Sequence, residues 1–141
     1  IPAVLLIADR SALQHVDYGL LMTFVCFFIF SGNMSRIEAV NHIISALLAK
    51  NTLLVSIASC QFISNVPSAI LLSEFTENYR ALLYGVNIGG TGTIIASLAS
   101  LITFRQYCAA EPGGAKKYLL HFSAFNFAFL IIMTVICYAL L

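Results

Sequence analysis

Two short stretches hold the residues whose chemistry can be named first: Ser64-Asn65-Val66-Pro67 and Gly85-Val86-Asn87-Ile88-Gly89-Gly90-Thr91-Gly92-Thr93. Each interrupts an apolar run. A helix broken inside a membrane frees N–H groups at the new N-terminus and C=O groups at the new C-terminus. The N-terminal end carries partial positive charge and attracts anions. The freed carbonyls, with Ser, Thr and Asn oxygens, can coordinate sodium, and secondary transporters place their sites at paired discontinuous helices of this kind. Ser64 or Asn65 suits the cap of a returning helix, with Pro67 in its first turn. Asn65 can donate to a carboxylate or accept toward a cation. Thr91 and Thr93 bring hydroxyls, Asn87 ends one half-helix, and Gly89, Gly90 and Gly92 let a ligand approach the backbone closely. Val66 and Pro67 complete the first corner, and Ser97 follows the second. Ser64, Asn65 and Thr93 are the candidate sodium ligands.

Blander readings of the same residues stay open. Ser-Asn-x-Pro also reads as a helix cap in a loop. The glycine run also reads as a seam where two membrane helices pack closely. It is not a nucleotide loop, because no strand precedes it and no P-loop Lys follows. Ser97 and Ser100 either line a path or bond back to their own helix. Glu74 and Glu77 read as solvated loop charges, Asp17 as a cap, and His121 and Asn126 as residues packed against neighbouring helices.

The elements that must hold these residues follow from composition. The chain is 60% hydrophobic and 9% charged, with mean hydropathy +0.94. An ordinary soluble domain is about 45–50% apolar and about 25% charged. A chain of 141 residues could not hide this much apolar surface from water, so an all-α membrane protein is expected. Net charge is +1, which provides no basic field for nucleic acid. Cys26, Cys60, Cys108 and Cys137 show no C-x-x-C spacing, and His15, His42 and His121 are scattered, so neither a metal site nor a disulfide framework is expected. Paired aspartates in spans, Gly-x-Ser-x-Gly and His-Glu-x-x-His are all missing, so an enzyme is not expected.

A span needs about 20 apolar residues, and a run of about 10–14 suggests a re-entrant piece. Residues 1–8 read as the end of a span entered in mid-protein, since the chain starts at Ile1 without a signal-peptide pattern. Residues 16–34 read as a full span, rich in phenylalanine. Residues 35–50 read as an amphipathic helix near the interface, with Arg36, Glu38, His42 and Lys50 interrupting apolar positions at helical spacing. Residues 51–74 read as a re-entrant helical hairpin with its tip at Ser64–Pro67. Residues 79–104 read as a broken span. Four of the eight glycines fall within Gly85–Gly92. Each costs about 1 kcal/mol against alanine in a helix, and irregular backbone at membrane depth is tolerated only when buried or lining a cavity. Arg105 to Lys117 reads as a polar loop and residues 117–141 as the final span. The cluster Arg105, Lys116, Lys117 places that loop in the cytoplasm by the positive-inside rule, against an opposing set of Arg36, Lys50 and Arg80.

Ser64-Asn65-Val66-Pro67, the run Gly85–Thr93 and the following Ser97-Leu98-Ala99-Ser100 resemble the second repeat of the ion transporter superfamily. That group contains the arsenite permease/sodium–proton antiporter carriers and the divalent anion–sodium symporters. Val16–Phe30 with Gly32-Asn33 also resembles the span before the outer hairpin there. The resemblance implies a carrier of two inverted repeats, a homodimer with an elevator-like movement, of which this chain is the C-terminal half. It implies that the hairpin tip holds sodium and a substrate anion. The carboxylate symporters carry Ser-Asn-Thr at the tip. Val66 stands where that Thr would be, which removes one hydroxyl and argues against a dicarboxylate.

The expectation is therefore an ion-coupled secondary transporter of a small anion, an inorganic oxyanion or carboxylate, driven by sodium or protons. The bilayer, the N-terminal half of the carrier and a second copy would be its partners, and the plasma membrane its location (the inner membrane in a bacterium). Two alternatives stand beside it. A sodium–proton antiporter would need a mid-span carboxylate, absent from these spans. A membrane assembly subunit without transport would be a stable isolated unit.

Overall fold

The fold was analysed in a computed structural model that describes residues 18–140. Residues 1–8, the Asp9-Arg10 connection, and Val16 and Asp17 lie outside the described residues. Within them every regular element is helical: α1 (Tyr18–Met34), α2 (Glu38–Ile63), α3 (Asn65–Ser73), α4 (Tyr79–Gly89), a 3-10 turn (Ile94–Ala96), α5 (Leu98–Ala110) and α6 (Ala115–Leu140). By length and composition α2 and α6 can cross a membrane, and Leu21–Met34 is a shorter apolar helix.

α2 joins the segment expected at 35–50 to the first arm of the one expected at 51–74 in one element of 26 residues, bent at a single residue. Asn51 leaves the helical region (φ −163°, ψ 91°). Its side-chain oxygen accepts from Leu54 N at 2.9 Å, so it caps the second half of the helix as it ends the first. α2 stops at Ser64, whose φ of 72° and ψ of 160° also make it the N-cap residue of α3. The chain then turns back on itself. Ser59 and Ser68 hydroxyls meet across the corner at 2.9 Å, and Ser68 is fully buried. α1 closes over α3, where Ser31 Oγ donates to Ile70 O at 3.1 Å.

α4 starts beside the end of α3, capped by Asn78 Oδ1, which accepts from Ala81 N at 3.2 Å. It lies alongside the second half of α2 and runs in the same direction. Two glycines make this contact possible. A Cβ at Gly85 would lie 2.6 Å from Ser56 Cβ and 2.8 Å from Leu53 O, and one at Gly89 would lie 2.9 Å from Cys60 Cβ. Small residues at i and i+4 on α4 thus face small residues on α2, and the backbones meet without side chains between them. Leu48, Cys60, Leu72, Phe75, Leu82 and Val86 form one core around this seam, and Leu53, Ile57, Ile88 and Cys137 form a second beneath α6.

The loop expected over Arg105–Lys117 is shorter than the charge pattern suggested. α5 continues through Arg105 to Ala110, and α6 begins at Ala115. Aromatic packing explains the extension: Tyr118 lies 4.8 Å from Tyr107 and 5.6 Å from Phe104, centroid to centroid. The remaining turn uses Gly113 at φ +95°, and a Cβ on Gly114 would strike the Tyr107 ring at 2.8 Å.

Most polar side chains of the long helices bond back to the carbonyl four residues earlier. Thr23, Asn33, Thr103, Asn126 and Thr134 all do so at 2.6–2.9 Å. This removes their need for water, and it leaves an apolar exterior in which Leu120, Phe125 and Val135 are among the most exposed residues. Such an exterior suits lipid or further protein.

The seam makes a signed prediction. Gly89→Ala is expected to lower the thermal unfolding midpoint of the full-length protein in detergent, by an overpacking cost of about 1–3 kcal/mol. Gly32→Ala, where nothing lies within 4 Å, is expected to hold or raise the midpoint, since alanine is the better helix former. Equal effects of the two changes would exclude close packing at Gly89.

Candidate functional site

The two interruptions singled out in the sequence meet in space. The first is a one-residue corner. Ser64 N donates to Cys60 O at 3.1 Å and Ser64 O accepts from Ser68 N at 3.1 Å, so each flanking helix runs fully up to it. Its dihedrals lie in a region that L side chains rarely adopt, at a cost of about 1–3 kcal/mol. Ser64 does not cap α3 with its side chain. Its hydroxyl instead donates to Ala96 O at 3.3 Å, on the second interruption.

The second interruption is longer than the glycine pattern indicates. α4 ends at Gly89, Gly92 takes φ +106°, Ile94–Ala96 form the 3-10 turn, and Ser97 is extended. Regular helix resumes at Leu98 and not at Ile94. The last regular bond of α4 runs from Gly90 N to Val86 O, and beyond it Ile88 O accepts from both Thr91 N and Thr91 Oγ1.

Gln61, a residue the sequence reading passed over, ties the interruptions together. Its Nε2 donates to Gly89 O at 2.8 Å and Thr91 O at 3.1 Å, while its Oε1 accepts from Thr93 N at 2.9 Å. Its own carbonyl accepts from Thr93 Oγ1 at 3.2 Å. One primary amide thus substitutes for the helical hydrogen bonds lost between Gly89 and Thr93. The assignment of its two ends is set by the partners, since two carbonyls need a donor and an N–H needs an acceptor. A Cβ at Gly92 would collide with Gln61 Oε1, so this glycine is required both for its φ and for its proximity to that amide. A polar residue one turn before Ser64 was the available signal, but nothing local distinguishes Gln61 from an exposed helical glutamine.

The predicted residues divide into three groups. Ser64, Asn65, Gly90, Thr91, Gly92 and Thr93 come together. Asn65 stands against Gly90, where a Cβ would sit 2.9 Å from Asn65 Nδ2. The Asn65 Oδ1 accepts from Val66 N at 2.9 Å, and its Nδ2 has no hydrogen-bond partner among the described residues. Gly89 belongs to the seam with α2 and faces Cys60. Asn87 is turned away: it is exposed, its Nδ2 returns to Leu83 O at 2.7 Å, and it lines an apolar cavity with Phe129 and Met133 of α6. Val66 is 46% exposed at the outer side of the corner. Pro67 is the third residue of α3, where its missing N–H costs nothing. Ser97 is the N-cap residue of α5 without a capping side-chain bond.

Chemically the cluster presents two kinds of group. The Asn65 amide and the start of α3 offer donors to an anion. The Ser64 and Thr93 hydroxyl oxygens, whose protons are committed to carbonyls, keep lone pairs for a cation.

The chain is 46% identical over 92 residues to an uncharacterized transporter of Methanocaldococcus jannaschii, which covers 64% of this chain and 26% of that protein. It is 35% identical over 100 residues to the inner membrane protein YbiR of Escherichia coli, covering 69% of this chain and 27% of that one. The chain therefore spans about a quarter of the length of these curated relatives. No family model matches the sequence, and no solved structure matches it.

If Gln61 carries the interruption, removing it strands two carbonyls and one N–H. Each buried unpaired group costs about 1–3 kcal/mol. Gln61→Ala and Gln61→Glu are both expected to lower the unfolding midpoint of the full-length protein well below that of Asn87→Ala, a surface change worth about 0.5 kcal/mol or less. A Gln61→Ala midpoint equal to that of Asn87→Ala would exclude the bracing role.

Proposed function

We propose that this chain is the C-terminal transport repeat of an ion-coupled secondary transporter that moves a small anion, an inorganic oxyanion or a carboxylate, across a membrane. The observation that carries this reading is the meeting of the Ser64-Asn65 corner with the Gly90–Thr93 interruption, with the Asn65 amide donor uncommitted between them. The apolar helices α2 and α6 and the similarity to proteins named as a transporter and an inner membrane protein support the membrane setting and the transport class. The resemblance of the two motifs to the ion transporter superfamily supports the finer assignment.

In this reading α2 from Asn51, with α3, is a re-entrant hairpin, and α4 to α5 is a broken span. The anion lies at the N-terminus of α3, held by Asn65 Nδ2 and the backbone, and Gly90 leaves room for it. The coupling ion, sodium or a proton, is carried beside it, with sodium held by oxygens of Ser64, Asn65 and Thr93. The site is completed by the corresponding elements of the N-terminal half, in a homodimeric multi-pass carrier of the plasma membrane. The carrier moves its substrate without transforming it. Val66 contributes no hydroxyl at the corner, which favours an oxyanion or monocarboxylate over a dicarboxylate.

The test is uptake by the full-length carrier in vesicles. Losing one hydrogen bond to a charged ligand costs about 1.5–3 kcal/mol, so Asn65→Ala is expected to reduce uptake efficiency by about tenfold or more. Asn87→Ala, turned away from the cluster, is expected to transport normally. Normal uptake by Asn65→Ala at an equal membrane level would remove Asn65 from the site and with it this reading.

A further inference from the structure

The far end of the α2–α4 seam, one helix length from the Ser64 corner, holds a second polar feature. A cavity of about 630 Å³ opens there between the bend of α2, the start of α4 and the end of α6. Lys50, Asn51, Thr52, Asn78, Arg80 and Tyr138 supply its polar lining, the Thr52 hydroxyl donating back to Leu48 O, with Leu48, Leu53 and Ala81 as its apolar wall. Among the described residues no Asp or Glu lines it. The acidic residues of this end, Glu74 and Glu77, line a different cavity with Asn41, Ser45 and Tyr79. Neither Lys50 nor Arg80 has an ion-pair partner among the described residues. Arg80 lies over the Tyr84 ring with its Cζ 5.9 Å from the centroid, which holds the stem without consuming its N–H donors.

We propose that this cavity binds a phosphate-type oxyanion. Both charged groups of the lining are cations. Asn51 and Asn78 direct their oxygens to the N–H groups of Leu54 and Ala81, and their Nδ2 donors have no hydrogen-bond partner among the described residues. The capped starts of two helix segments, residues 52–63 and α4, open at the same place and add field of the same sign, opposed by the ends of residues 38–50 and of α6, so the anion preference rests on the two side-chain cations. An ammonium, a guanidinium and two amides lining one opening match the oxygens of a phosphate, and the two fixed positive charges disfavour a cation there. The apolar wall and Tyr138 suit a headgroup with acyl chains beside it, and the same donors would take a free phosphate.

This site is separate from the Asn65 cluster, so its test contains no transport step. The full-length protein in an uncharged detergent is titrated with phosphatidylglycerol, phosphatidylcholine or inorganic phosphate, and the unfolding midpoint is read. Phosphatidylglycerol, phosphate or both are expected to raise the midpoint saturably, and phosphatidylcholine is not. A response to phosphate alone identifies a free-anion site, and a response to phosphatidylglycerol alone a headgroup site. K50Q/R80Q is expected to need about tenfold or more ligand for half of the shift, while K116Q/K117Q, with the same change of charge at the far turn, titrates like the parent. Both target side chains are exposed, and the comparison uses half-saturation rather than the midpoint itself, so a shifted baseline does not obscure it. No response to either anion, an equal response to phosphatidylcholine, or K50Q/R80Q titrating like the parent would each overturn the proposal.

Discussion

Every backbone carbonyl and N–H in an apolar environment must find a partner, because there is no water to take its place. A regular helix meets that demand within itself. This chain interrupts its helices at Ser64 and again from Gly90 to Ser97, and the exception is bearable only because a side chain supplies what the helix no longer does. Gln61 does so with both ends of one amide. The corner and the interruption are therefore one unit: Gln61 stands at the last turn before the corner and holds the interruption in place. Thr93 returns the contact through its hydroxyl.

That unit needs a close approach of α2 and α4, and the seam provides it. Gly85 and Gly89 put the two backbones near enough for a glutamine side chain to span the remaining gap. Gly89, Gly90 and Gly92 were candidates for ligand contact in the sequence. In the fold the burden is split, with Gly85 and Gly89 packing, Gly90 making room for Asn65, and Gly92 supplying a left-handed backbone beside the Gln61 oxygen. Ser64 is held at a strained φ of 72° by two helices that end on it. Strain of this kind persists only where the surroundings over-determine it, and here the hydrogen bond to Ala96 O and the Ser59–Ser68 contact hold both sides of the corner.

The outer surfaces obey the same constraint by simpler means. Thr, Asn and His side chains on α1, α5 and α6 return their polar atoms to their own helices, so the exterior is apolar without being uniformly aliphatic. Charged side chains gather at the ends, where Lys50 and Arg80 frame one opening and Lys116 and Lys117 flank the turn at the other end of α6.

Composition and local pattern were sufficient for the helical class, for the corner at Ser64-Asn65, and for the presence of an interruption in the glycine run. Those features are set by residues within a few positions of one another: apolar run length, short polar caps, and the cost of glycine in a helix. They were not sufficient for the extent of the interruption, which runs to Ser97, or for the continuation of α5 and α6 through the charges at Arg105 and Lys117, where Tyr107 packs against Tyr118 across the turn. Nor could they separate Asn87 from Asn65. Both are asparagines beside a break, yet one faces outward and bonds to its own helix while the other stands against Gly90. Gln61 is the clearest case: its role depends on groups 28 to 32 residues away in the chain. Local chemistry wrote where the backbone would break. Only the tertiary structure decided which side chain would satisfy the broken ends, because an unpaired carbonyl is repaired by whatever donor lies nearest in space.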